Sequence, residues 1–146
     1  MQISYMVLAD AAAAENGKHY IHGGGWDQLL AASFPVVHPT MSVALRLQVP
    51  WHDTNQPHEL EIDVVNEDGQ SELPVPPGPL RGTVTTGRPP HLGPGADQFV
   101  PLVVNIAQLK FERAGTYAVI ARIDGMEAAR SAFHVKQLQP QARGTG

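Results

Sequence analysis

The chain of 146 residues suits one domain and is long enough to bury a sizeable hydrophobic core. Its hydrophobic content of 42% is ordinary for a globular protein and excludes general disorder. The formal net charge is −4, and the sequence lacks the basic stripe that phosphate binding needs, which predicts that nucleic acid is not a partner.

The sequence contains no cysteine, which excludes disulfides and Cys-based zinc sites and favours a cytoplasmic location. The first residues show no basic region followed by a cleavage site, so we expect no signal peptide. No apolar run approaches the roughly 20 residues that cross a bilayer. We therefore predict a soluble cytoplasmic protein without a membrane partner.

The first strands are predicted around a tight turn. Residues 3–13 favour a strand, although the alanines at 11–14 have high helix propensity. Asn16-Gly17 is the strongest short hairpin signal, so residues 18–22 are predicted as the return strand.

The following residues predict a helical turn and then an extended connector. The helical turn is expected over residues 26–32. Residues 34–39 contain two prolines, and the residue before a proline is kept out of the helical region. This segment therefore leads in extended form to the next strand.

The clearest pattern is a strict alternation over residues 41–49, which predicts one buried face and one wet face. The predicted buried face consists of Met41, Val43, Leu45, Leu47 and Val49.

A second alternation follows a polar loop. Its core face is Leu60, Ile62 and Val64, and its other face carries Glu59, Glu61 and Asp63, predicted as a solvated acidic row.

Residues 71–98 are rich in proline, which excludes a central strand through most of this stretch. A short edge strand is predicted at residues 80–86. Residues 87–98 are predicted as a long surface loop, and long ordered loops are often functional.

The last third predicts three strands. Leu102, Val104 and Ile106 mark the first, Gly115-Thr-Tyr117 opens the second, and Asp124-Gly125 turns into the third. Altogether seven or eight short strands indicate an all-β fold with little helix, arranged as an antiparallel β-sandwich. A closed barrel is the alternative. We predict one domain over residues 1–136 and a flexible C-terminal tail over 137–146.

Two resemblances refine this architecture. Gly115-Thr-Tyr117 resembles the start of the penultimate strand in bacterial immunoglobulin-like domains, where the tyrosine ring lies in the core and its hydroxyl bonds nearby backbone.

Turn residues of the first third are similar to an uncharacterised family of small bacterial proteins, a domain of unknown function. They are Asp10, Gly17-Lys18, residues 23–27, Phe34-Pro35 and His38-Pro39. The resemblance spans residues 1–135 and implies an immunoglobulin-like β-sandwich with no catalytic residues to transfer.

Residues that could carry chemistry are sparse. His52, Asp53 and His58 share one loop and could supply imidazole and carboxylate ligands to a metal, although a polar hairpin loop is the simpler explanation. The sequence has neither a phosphate-binding glycine motif nor a hydrolase nucleophile elbow. We predict no enzymatic activity and no cofactor.

We therefore predict a non-catalytic sandwich that binds another protein or self-associates. Trp26 and Trp51 end strands beside turns, and each could anchor a partner or plug the end of the core. Loops 51–58 and 87–98 are expected to form one contact surface. The candidate contact residues are Trp26, Trp51, His52, Asp53, His58 and His91. The alternatives are a structural subunit of a phage-like or shell particle, and a metal-binding enzyme that uses the 52–58 loop.

Overall fold

The computed structural model describes residues 1–74 and 78–139, which form two β-sheets with almost no helix. The strands of the described residues are β1 Gln2–Glu15, β2 Lys18–Gly24, β3 Gln28–Ala31, β4 Val36–Val49, β5 His58–Val65, β6 Leu80–Val84, β7 Gln98–Phe111, β8 Gly115–Ile123 and β9 Met126–Gln137. A single 3-10 turn, Trp51–Asp53, stands between β4 and β5 in this part of the chain. The all-β prediction is confirmed.

The first sheet has the strand order β2-β1-β4-β7, and the second has the order β3-β9-β8-β5-β6. Neighbouring strands are antiparallel except at one edge, where β3 runs parallel to β9. The described residues therefore form nine strands rather than seven or eight, and the sheets are not purely antiparallel.

β3 is the strand that the sequence pattern did not predict. Residues 26–32 were expected to form a helical turn, but Gln28 pairs with His134 and Ala31 pairs with Gln137. The Asp27 carbonyl oxygen also accepts a bond of 2.8 Å from the His134 N–H. Main-chain bonds to β9 satisfy this segment, and they override its weak local preference.

The hairpin between β1 and β2 is confirmed. Glu15 pairs with Lys18, and Asn16 and Gly17 have φ angles of 52° and 73°. Both lie in the left-handed region that a two-residue hairpin turn requires. The alanines before the turn are part of the strand, because their main-chain groups bond to β2.

The hydrophobic core lies between the two sheets. All five residues of the predicted buried face of β4 are completely buried. They meet buried residues of the second sheet: Ile62, Val64, Tyr117, Val119, Ala121, Ile123, Phe133 and Val135.

The other face of β4 was expected to be wet, but it is only partly exposed. Ser42 and Ala44 are buried, and the Ser42 hydroxyl donates to Asn105 Oδ1 at 2.6 Å. His19, near the tip of the β1–β2 hairpin, contacts the Tyr5 hydroxyl at 2.7 Å. Its Nε2 donates to the carbonyl oxygen of Leu102, on β7, at 2.9 Å. The hairpin therefore lies over the outer face of the first sheet.

Two members of the acidic row are also buried rather than solvated. Glu61 is 8% exposed and lies between two cross-strand neighbours, Arg81 and Arg122. Arg81 Nε donates to Glu61 Oε1 at 3.0 Å, and Arg122 Nη1 lies 3.6 Å from Glu61 Oε2. Ser71 Oγ donates to Asp63 Oδ1 at 2.6 Å. These partners replace the water that the alternating pattern had implied.

The C-terminal part of the chain differs slightly from the predicted division. Gln137 is the last residue of β9, and the Leu138 N–H donates to the Ala31 carbonyl oxygen at 2.8 Å. The remainder of the predicted tail, residues 140–146, lies outside the described residues, so the division into domain and tail stays a prediction. Among the described residues, no helix has the length and apolar character needed to cross a bilayer.

Candidate functional site

Three connections and the start of β1 lie at one end of the two packed sheets. Gln48, near the end of β4, pairs with Gln2 on β1 and with Phe99 on β7. In the second sheet His58 pairs with Val84, at the end of β6. The β8–β9 turn lies at the same end, because Leu60 pairs with Ile123. We call this the loop end, formed by residues 50–57, 85–97 and 124–125.

The β4–β5 loop begins with the 3-10 turn. The Thr54 hydroxyl donates to the Trp51 carbonyl oxygen at 2.6 Å. The Asn55 N–H donates to the Thr86 carbonyl oxygen at 2.7 Å, which joins this loop to residue 86 after β6. One hydrogen bond within the loop and one to the segment after β6 thus fix the position of the loop.

Arg88 binds the two long loops together. Its Nε–H donates to Thr54 Oγ1 at 2.5 Å, and its Nη2 donates to the Trp51 carbonyl oxygen at 3.1 Å. Its guanidinium carbon lies 4.1 Å from the centre of the Trp51 ring, in a cation–π geometry. Loops 51–58 and 87–98 are therefore in direct contact, while their role as one contact surface stays a prediction.

His58 closes the base of the loop end. Its Nδ1 lies 2.8 Å from Asp124 Oδ2, and its Nε2 lies 2.9 Å from the Asp53 carbonyl oxygen. The hydrogen bond with Asp124 raises the pKa of His58, the Asp53 carbonyl adds to this, and burial opposes it. The same bond lowers the pKa of Asp124, whose other oxygen accepts the Glu59 N–H at 2.9 Å.

The Asp53 carboxylate bonds to the residue that precedes β1. It accepts a bond from the amino group of Met1, and this bond is the main cause that lowers its pKa. His52 Nε2 is 3.8 Å from the other Asp53 oxygen. A depression of about 480 Å³ lies beside these groups, lined also by Asp124, Met126 and Glu127. Met126 is 76% exposed at its rim.

The predicted contact residues are distributed unevenly. The His52 side chain is 81% exposed, and His91 is exposed in the 85–97 loop. His58 is only 8% exposed and uses both ring nitrogens internally, so it cannot meet a partner directly. Trp26 lies away from the loop end, with its ring centre 6.0 Å from that of Phe133. Of the two roles weighed for Trp26, its position fits plugging the core.

Sequence reasoning missed Arg88 and Asp124 as parts of this site. Arg88 stands in a proline-rich stretch with no pattern, and Asp124 was read only as a turn residue. The sequence did carry a signal for Asp124, because Asp residues in turns often bond nearby groups through their side chains. They also favour left-handed backbone, which Asp124 adopts with a φ of 51°.

The metal-binding alternative gains no support from this geometry. His58 presents no free ring nitrogen, and His52 points to solvent. Across residues 1–74 and 78–139, no three His, Asp or Glu side chains are arranged to hold a metal ion.

The comparisons with known proteins identify a family and a similar solved structure. The model of a family of unknown function, DUF6941, matches residues 4–136. No curated protein matches the chain. The chain is similar to the Pseudomonas fluorescens alkylpurine DNA glycosylase AlkC bound to DNA containing an abasic site analog, with 14% identity and a TM-score of 0.36. The similarity covers 75% of this chain but only 28% of the glycosylase chain.

The prediction that nucleic acid is not a partner of this protein is wrong. It was drawn from net charge, whereas the glycosylase in the similar structure is bound to DNA. At a TM-score of 0.36 the similarity carries no argument about what this chain binds, so it assigns no nucleic-acid role either.

The expectation of an uncharacterised family is confirmed by the match, which spans most of the chain. The bacterial origin stays a prediction. The chain belongs to DUF6941, a family of unknown function.

Proposed function

We propose that this chain is a non-catalytic, protein-binding β-sandwich of the immunoglobulin-like type, and that the loop end is its binding surface. The observation that carries the proposal is the set of Arg88 contacts, which join the two long loops directly. The absence of cysteine supports a cytoplasmic setting for this role.

Strand order supports the immunoglobulin-like assignment. β1, β4 and β7 adjoin in one sheet in the order of the A, B and E strands, and β5, β8 and β9 adjoin in the other as do C, F and G. Tyr117, near the start of β8, donates its hydroxyl to the Arg113 carbonyl oxygen at 2.7 Å. This bond has the position and partner of the tyrosine corner of such domains.

The position of the loops supports a binding role. Immunoglobulin variable domains bind through loops gathered at one end of the sandwich, where a rigid scaffold holds variable segments. Here the β4–β5 loop and the β8–β9 turn occupy the corresponding places. Contacts made before binding lower the entropy lost when a partner docks.

The exposed chemistry of the loop end fits a protein partner. Trp51 and Arg88 belong to the residue types that are enriched where protein interfaces concentrate their energy. Met126 adds a flexible apolar side chain, and His52 adds a hydrogen-bonding ring. The shell-subunit and metal-enzyme alternatives stay predictions, since no contact among the described residues favours either.

The test uses a photo-crosslinking amino acid in place of His52, with the full chain expressed in its native host. We expect protein adducts from position 52 and none from Glu112, an exposed residue at the opposite end of the sandwich. Adducts with nucleic acid instead of protein would replace the proposed partner class. Equal protein adducts from both positions would refute the loop end as the surface.

The purified partner then allows affinities to be compared. We expect His52→Ala and Arg88→Ala to weaken binding about tenfold or more, which corresponds to at least about 1.4 kcal/mol, and Glu112→Ala to leave it unchanged. Unchanged affinity in both loop variants would contradict the proposal.

A further inference from the structure

We propose that His58 is a proton-dependent latch, which holds the β4–β5 loop to the β8–β9 turn when its ring carries two protons and loosens this junction when it carries one. The inference goes beyond the proposed function and requires no partner. It concerns the conformation of the loop end itself.

The geometry around the ring carries the argument. The Asp53 carbonyl oxygen, 2.9 Å from Nε2, can only accept a hydrogen bond. The Asp124 carboxylate, 2.8 Å from Nδ1, is also an acceptor when ionised. Both bonds therefore exist together only when both ring nitrogens carry hydrogen.

A neutral imidazole has one N–H, and either tautomer breaks one side of the latch. With the hydrogen on Nε2, the Nδ1 lone pair faces the Asp124 carboxylate at 2.8 Å. With the hydrogen on Nδ1, the other lone pair faces the Asp53 carbonyl oxygen at 2.9 Å. Loss of a proton thus turns one attraction into a repulsion, whichever tautomer forms.

The two bonds span different elements, so the proton has a structural effect. Asp124 belongs to the turn between β8 and β9, and its Oδ1 also accepts the Glu59 N–H. Asp53 ends the 3-10 turn that supports Trp51 and, through Thr54, Arg88. His58 is 8% exposed and meets solvent at the depression that Asp124 also lines, so a lost partner leaves a ring nitrogen in a largely buried site.

The charged groups around His58 come from every neighbouring element. The β8–β9 turn supplies Asp124, and the 3-10 turn supplies the Asp53 carboxylate with His52 beside it. The residue before β1 supplies the Met1 amino group, which pairs with Asp53. β9 supplies Glu127, which lines the same depression and pairs with Arg130.

β6 supplies no charge at its register position, where Val84 pairs with His58. The hydrogen bond with Asp124 is the largest cause that raises the pKa of His58. The raised pKa of His58 agrees with its acceptors and places the loosening above the ordinary value of 6.5.

NMR spectroscopy of the full chain tests the latch. The ring nitrogens of His58 are followed from pH 5 to pH 9 together with the backbone amides of Thr54, Glu59 and Gly125. We expect these amides to titrate with the same midpoint as His58, above 6.5. The Asp124→Asn variant should lower that midpoint and reduce the amide shifts, because its side chain no longer supplies a charge.

Each outcome decides the proposal. A His58 ring that stays neutral across this range, or amides that do not follow its midpoint, would overturn it. If Asp124→Asn does not fold, His58→Gln keeps the test open, since the pH-dependent amide shifts must then vanish. Binding of any partner plays no part in these measurements, so failure of the latch leaves the proposed function standing.

Discussion

Tyr117 combines two environments within one side chain. Its ring stacks on Phe133 with centres 5.8 Å apart, while its hydroxyl donates to the Arg113 carbonyl oxygen. Burial is the largest cause that raises its pKa. The resemblance of Gly115-Thr-Tyr117 to immunoglobulin-like domains implied both features.

Removal of the Tyr117 hydroxyl isolates its hydrogen bond. We expect Tyr117→Phe to lower the free energy of unfolding by about 1 kcal/mol, because the Arg113 carbonyl loses its partner while the ring keeps its packing. Urea denaturation measures the change. Tyr20→Phe, at an exposed tyrosine of β2, serves as the control, and an equal loss in both variants would contradict the role given to the bond.

The cluster around Glu61 shows where residue patterns fail. Alternation correctly placed Glu61 and Asp63 away from the core, but it could not show that Arg122 lies opposite Glu61. Cross-strand partners depend on which strands pair and in what register. The tertiary structure therefore buries and pairs Glu61 and Asp63, which the pattern had predicted to be solvated.

Replacement of Arg122 tests that pairing. Arg122→Met keeps the length of the side chain but removes the cation that faces both carboxylates, and we expect a loss of about 1–3 kcal/mol in unfolding free energy. Lys110→Met removes the cation of an exposed pair with Glu112, where about 0–1 kcal/mol is expected. Chemical denaturation measures both losses. Equal losses in Arg122→Met and Lys110→Met would contradict the expectation that the buried ion pairs of Glu61 stabilise the fold more than the exposed Lys110–Glu112 pair.

The elements divide into those with strong local signals and those without. The hairpin at Asn16-Gly17 was predicted because Asn and Gly readily adopt the left-handed conformations that a two-residue hairpin turn requires, and both residues have positive φ. β3 has only four residues, too few for a period to be read, and its state depends on hydrogen bonds to β9. β3 is therefore formed by its neighbour rather than by its own sequence.

The turn residue Gly17 provides a prediction at this scale. We expect Gly17→Ala to destabilise the protein by about 1 kcal/mol or more, because φ is +73° and a Cβ is strained there even though space is open. Gly82→Ala on β6 is the matched control, since Gly82 has open space without a left-handed φ. Thermal or urea unfolding that shows no difference between the two would contradict this account.

At the scale of the whole molecule, stability should depend on pH through His58. Its pKa in the folded state is raised above 6.5, so its stabilising contribution is complete below 6.5 and is lost as pH rises through the folded pKa. We expect the unfolding free energies of the natural chain and the His58→Gln variant to differ most at pH 5.5 and to converge at pH 9.

Asp124 provides the control for this pH dependence. In an Asp124→Asn background the effect of His58→Gln on the unfolding free energy should become smaller and nearly independent of pH, as a double-mutant cycle would reveal. An effect that grows toward high pH would contradict the sign derived from the His58 contacts.

The loop end illustrates how far a candidate site could be anticipated. Residues 51–58 and 87–98 were singled out because long polar loops carry no core pattern, and their contacts through Arg88 agree with a shared surface. The orientation of individual residues was not available from sequence. His58 points inward and Trp26 lies at the core, because these positions depend on neighbours distant along the chain.

The sequence by itself determined the all-β class, the hairpin turns and the residues of the core, since two-residue periodicity and turn chemistry act over a few neighbouring positions. Only tertiary structure decided the pairing of β3 with β9, the burial of Glu61 and the inward orientation of His58. Each of these depends on groups that the chain brings together from distant segments. Local patterns carry no information about such partners.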